Sequence, residues 1–173
     1  TVDYLQNVAG GPPVVYLNVP SQEMKNVTQK LLEDGLPVWM GCDVGKQMHR
    51  ERGLWDAKLF DFAELYGTEF GMDKANRLRY SQTMMTHAML FTGVDVVDGV
   101  PRRWRVENSW GAKKSGEEGF YTMNDSWYDE HMFEIAAPAD YLTEKMKKGL
   151  STTPVVLPAW DPMGSLAKDE AAL

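Results

Sequence analysis

The chain has 173 residues, 43% of them hydrophobic and 25% charged, which is ordinary for a globular protein and enough for one domain with a buried core. Its net charge of -7 argues against nucleic acid as a partner, no apolar run reaches the roughly 18 residues of a membrane span, and its single cysteine excludes an internal disulfide and suits a reducing, cytoplasmic setting. The start, Thr1-Val2-Asp3-Tyr4, carries neither a basic nor an apolar stretch, so no signal peptide is expected; a chain with 11 Met that does not begin with one reads as processed, or as the later part of a longer polypeptide.

In chain order, Gly10-Gly11-Pro12-Pro13 marks a turn, and Val14 to Leu17 reads as a short strand. Ser21 reads as the N-cap of a helix extending to Asp34, with Met24, Val27, Leu31 and Leu32 at helical spacing and Gly35 as the stop. Pro37 to Cys42 reads as a buried strand. Residues Asp43 to Phe70 lack a clean period and read as an ordered loop with short pieces of structure, and Asp73 is expected to cap a helix through Leu78. A hairpin is predicted from Thr86 to Val97 and back from Val100 to Ser109, because Asp98-Gly99 between two such runs is a strong turn signal. Pro101 suggests an edge or a bulge. In Arg102-Arg103-Trp104-Arg105 the charges read as the solvent face of a strand. Phe120 to Met123 and Phe133 to Ala137 read as further strands, with a short helical turn capped at Asn124-Asp125-Ser126 between them. Pro138 to Lys148 reads as a helix ended by Gly149, with three lysines suited to its negative end. The stretch from Ser151 holds three prolines and reads as an extended tail.

The hairpin carries the chemistry. With a two-residue loop at Asp98-Gly99, facing residues have numbers summing to 197, so Met89 faces Asn108 and His87 faces Trp110. His87 and Asn108 then share a face as diagonal neighbours, at roughly 7–8 Å along the backbone. A slip of one residue would send Asn108 to the other face. An Asn carbonyl can fix the tautomer of a His and leave its second nitrogen for a nucleophile. The same pair can equally be a half-buried sheet histidine satisfied by an amide.

Four segments bear on that choice: Met84-Met85-Thr86-His87-Ala88-Met89, Arg105-Val106-Glu107-Asn108-Ser109-Trp110-Gly111, Val38-Trp39-Met40-Gly41-Cys42-Asp43-Val44-Gly45-Lys46 and Leu157-Pro158-Ala159-Trp160-Asp161-Pro162-Met163-Gly164. Together they closely resemble the bleomycin hydrolase family, cysteine aminopeptidases with a papain-like fold. The resemblance implies an α+β fold, with an antiparallel sheet or partial barrel carrying His87 as the catalytic base, Asn108 as the group that orients it, and Trp110 beside them. It implies that residues 1–150 form the C-terminal part of a papain-like peptidase domain. Residues 151–173 then form a tail that enters the active-site cleft and makes the enzyme an aminopeptidase. The last six residues, 168–173, run past the family's expected end. Family members carry the nucleophilic Cys and an oxyanion-hole Gln in an N-terminal half that nothing here matches. The nucleophile is therefore expected in a missing N-terminal portion, leaving this chain alone inactive. The implied substrates are peptides with a free N-terminus. The implied partners are the missing portion and, at full length, copies forming a homohexamer. No cofactor, no metal and no membrane are expected.

Two other readings stand beside this one. One makes the chain a non-enzymatic binding or assembly module that keeps the fold. In the other, Cys42 and His87 form a dyad within one complete enzyme. Cys42 ends an apolar strand and precedes Asp43, whose charge raises a thiol pKa, so it reads as a buried or boundary thiol rather than a nucleophile.

Overall fold

A computed structural model describes residues 1–6, 8–113, 116–164 and 167. The first helix, Ser21–Glu33 (α1), buries Met24, Val27 and Leu31 along one stripe, together with Lys25 and Thr28. It begins one residue earlier than expected. The carbonyl of Pro20 accepts from the amides of Glu23 and Met24, which makes Pro20 the N-cap and leaves Ser21 inside the first turn. Its far end is a Schellman closure. Leu36 N–H donates to Leu31 O at 2.9 Å and Gly35 N–H to Leu32 O at 3.0 Å, with Gly35 at φ 78°, where a glycine is least strained.

Seven strands among the described residues form one curled, largely antiparallel sheet: Val38–Cys42 (β1), Met48–His49 (β2), Leu54–Trp55 (β3), His87–Val97 (β4), Val100–Glu107 (β5), Phe120–Asn124 (β6) and Met132–Ile135 (β7). Their order across the sheet is β2-β3-β6-β5-β4-β1-β7, and only the β3–β6 pair is parallel. The β4–β5 hairpin is the expected one, with Asp98 and Gly99 both at positive φ, as a type I′ turn requires. The α+β expectation holds.

The short helices are Phe62–Tyr66 (α2), Lys74–Arg79 (α3), Asp125–His131 (α4) and Glu144–Leu150 (α5). Asp73 caps α3 as expected, accepting from Asn76 N–H at 2.7 Å. Asn124 precedes α4 but does not cap it with its side chain, because its amide is drawn to Asp56 instead. The single helix expected over Pro138 to Lys148 is two pieces, a 3-10 turn at Ala139–Tyr141 and then α5. Thr143 restarts the helix by accepting from Met146 N–H, so Gly149 lies inside α5 rather than after it. Residues 14–17 join no strand and have no regular structure.

α1 and α4 cover the same face of the sheet and bind each other. Lys25 Nζ lies 2.6 Å from Asp125 and 2.8 Å from Asp129, and Thr28 Oγ1 lies 3.1 Å from the Tyr128 hydroxyl. Trp55, Phe91, Trp104, Trp127 and Tyr128 are fully buried there, with their rings in contact. The final described stretch runs beside the chain's start. Val2 and Leu157 form a parallel bridge, and Pro162 O accepts from Met85 N–H at 3.2 Å. Residues 168–173, singled out above as running past the family's expected end, lie outside the described residues.

Candidate active site

His87 is the first residue of β4, and its side chain points to the core face together with Met89 and Phe91. Two anchors fix its backbone. Thr86 N–H donates to Cys42 O at 2.9 Å, and the Thr86 hydroxyl accepts from Val44 N–H at 3.1 Å. Asn108 follows the last residue of β5. It is 8% exposed, and its main-chain N–H donates to Gly119 O at 3.0 Å.

The two side chains meet. His87 Nε2 lies 3.0 Å from Asn108 Oδ1. A carboxamide oxygen only accepts, so Nε2 carries the proton and donates it, which leaves Nδ1 with a free lone pair. The Trp110 ring lies 5.0 Å from the imidazole at 30°, covering the pair. Trp110 in turn meets Tyr121 edge-on at 6.1 Å, and Tyr121 stacks on Trp55 at 4.8 Å, so the cover is tied into the aromatic core. An imidazole held in one tautomer beneath an indole ring has the chemistry to take and return a proton.

The expectation that the cysteine belonging to this chemistry lies only in a portion outside the chain is corrected by the sheet. Cys42 is the β1 residue paired with His87, and its Sγ donates to the His87 main-chain oxygen at 3.7 Å. Cys42, His87 and Asn108 thus form one connected set within this chain. Antiparallel pairing across 45 residues brings this cysteine to His87 from the end of an apolar strand. Burial, and then the charge of Asp43, pushes its pKa far up, so the thiol is neutral and serves as a main-chain donor.

Nothing in the local sequence signals this β1–β4 pairing, because a short apolar run carries no mark of its partner strand. Among the described residues no group of three or more His, Cys, Asp or Glu side chains is arranged to hold a metal ion. One polar atom of the site stands open: Asn108 Nδ2 is buried and has no hydrogen-bond partner among the described residues.

A curled antiparallel sheet that presents a His–Asn pair under a tryptophan defines the papain-like class of cysteine peptidases. The chain belongs to the Peptidase C1-like family, whose profile matches residues 1–164. It is 43% identical over 167 residues to aminopeptidase C of Listeria innocua, covering 96% of this chain and 38% of that protein. It is 41% identical over 172 residues to human bleomycin hydrolase, covering 97% and 38%. The crystal structure of PepW from Lactobacillus rhamnosis superposes with a TM-score of 0.91 at 42% identity, over 96% of this chain and 38% of that one. The chain therefore spans well under half the length of these relatives.

Proposed function

We propose that this chain carries the proton-transfer machinery of a cysteine-type aminopeptidase acting on peptides with a free N-terminus. The observation that carries the reading is the 3.0 Å bond from His87 Nε2 to Asn108 Oδ1, which leaves Nδ1 as the base. In thiol-peptidase chemistry the imidazole takes the proton of the attacking thiol, and the thiolate adds to the peptide carbonyl. The imidazolium then protonates the departing amine as the acyl-enzyme forms. In the second half the same nitrogen draws a proton from water, which releases the acid. Asn108 keeps the ring in one tautomer through the cycle.

We infer that the chain corresponds to the C-terminal portion of such a protein, with the remaining length as its partner. The tail contact supports an exopeptidase: Pro162 O is bound to Met85 N–H, two residues before His87, so chain already runs beside the site. A cleft occupied on one side has room for only a short stretch of substrate before the scissile bond. The names of the relatives, aminopeptidase C and bleomycin hydrolase, support the same reading. Homohexameric assembly and a cytoplasmic setting belong to this proposal as well.

The test is turnover of aminoacyl-arylamides by the protein carrying this chain, with His87→Ala and Asn108→Ala. His87→Ala should lose roughly 10²–10⁴-fold in kcat. Asn108→Ala should lose less, because it only orients the base. Undiminished turnover by His87→Ala would end the proposal.

A further inference from the structure

Arg50 stands immediately after β2, and its guanidinium carbon lies 4.9 Å from the centre of the Trp110 ring, the same ring that lies 5.0 Å from His87. Its backbone is pinned. Arg50 O accepts from Gly53 N–H at 3.1 Å, closing a four-residue turn, and Gly53 O accepts from Thr122 N–H at 2.8 Å, tying that turn to β6. β6 also carries Tyr121, which meets Trp110 from another side. None of the ion pairs among the described residues engages Arg50, so the indole is the partner its charge has found.

A cation over an indole face is attracted by the ring quadrupole, and a planar guanidinium can lie flat against it. The turn therefore sets a positive charge 4.9 Å from a ring whose neighbour is the imidazole.

We propose that Arg50 is a positioning residue, a clamp that holds Trp110 over the His87–Asn108 hydrogen bond and keeps water from it. The geometry stands on its own, while the catalytic use of the clamp rests on the proton-transfer role proposed for His87.

The readout is the exchange of the His87 Nε2 proton with water, followed by nitrogen-15 NMR of the whole chain. The chain has three histidines, so the signal can be assigned by its loss in His87→Gln. Arg50→Gln should speed the exchange about two- to fivefold, as expected for losing one exposed cation–π contact. Arg50→Lys keeps a cation on the indole and should recover at least half of the protection. Trp110→Ala should exchange faster than either.

Unchanged exchange in Arg50→Gln overturns the clamp, and so does an Arg50→Lys chain that is folded yet as unprotected as Arg50→Gln. The two proposals fail separately. Unchanged exchange alongside an inactive His87→Ala enzyme sinks the clamp alone. Faster exchange alongside a fully active His87→Ala enzyme sinks the catalytic reading and leaves the clamp standing.

Discussion

His131 offers a sharp test of the energetics around the site. It ends α4 at 9% exposure, its ring tilted against Trp127 at 5.1 Å, with Nδ1 unpartnered among the described residues. Its main-chain oxygen accepts from the amide of Asp43, the residue next to Cys42, so its stability bears on the strand that anchors His87. Burial, and then the charges of Arg77, Lys74 and Lys46, lower its pKa from 6.5 to about 3. The sign follows from linkage. Between about pH 3 and 6.5 the unfolded chain binds a proton here that the folded chain refuses, so stability falls as pH drops through that window. At about 1.4 kcal/mol per pH unit, the full window is worth about 5 kcal/mol, and the drop from pH 8 to pH 5 about 2 kcal/mol. His131→Gln removes this titration. Urea unfolding of both chains at pH 8 and pH 5 is the assay, with His131→Gln correcting for every other group that titrates in the range. The unmutated chain should lose about 2 kcal/mol more than the variant, roughly a 1 M difference in midpoint shift. Parallel losses in the two chains would refute the argument that a buried, cation-ringed imidazole stays neutral.

Cys42 should resist iodoacetamide in the folded chain at pH 8 and react at least about 100-fold faster in urea, because a buried neutral thiol is reached only by opening. Alkylation at equal rates in both conditions would contradict the buried donor role. Lys25→Met should destabilise the chain by about 2–3 kcal/mol in urea unfolding, since it strips two carboxylates of a cation that is only 4% exposed. A loss under about 0.5 kcal/mol would mean that Asp125 and Asp129 find water or other donors instead.

The long-period elements were readable because their signals are local. α1 carries its own apolar stripe and its glycine stop, and α3 carries its capping Asp73. What failed was whatever depended on a neighbour distant in sequence. Val14 to Leu17 has strand-forming residues, yet among the described residues it pairs with no strand. Asn124 is a good capping residue, yet Asp56, 68 residues away, competes for its side chain. Cys42 was read for its reactivity from the residues on either side. Its structural role comes from His87 across the sheet, and no pattern within β1 or β4 announces that the two strands are partners.

The site's register was legible for a subtler reason. The 197 sum predicted from the Asp98-Gly99 turn holds at Val97↔Val100 and Val96↔Pro101, then breaks. Arg102 is an extra residue on β5, so Asp95↔Arg103, Val94↔Trp104 and Gly93↔Arg105 follow a sum of 198. This bulge lets Arg102 and Arg103, adjacent in sequence, both face solvent while Trp104 stays buried. Thr92 is then an extra residue on β4, which restores 197 at Phe91↔Val106 and Leu90↔Glu107. With Pro101 in the strand the first bulge is natural, and by itself it would set Asn108 opposite Leu90, on the face away from His87. The second bulge cancels it. The hydrogen bond between His87 and Asn108 therefore depends on the two irregularities together, and a chain with only one of them would lose the orienting amide while keeping both residues.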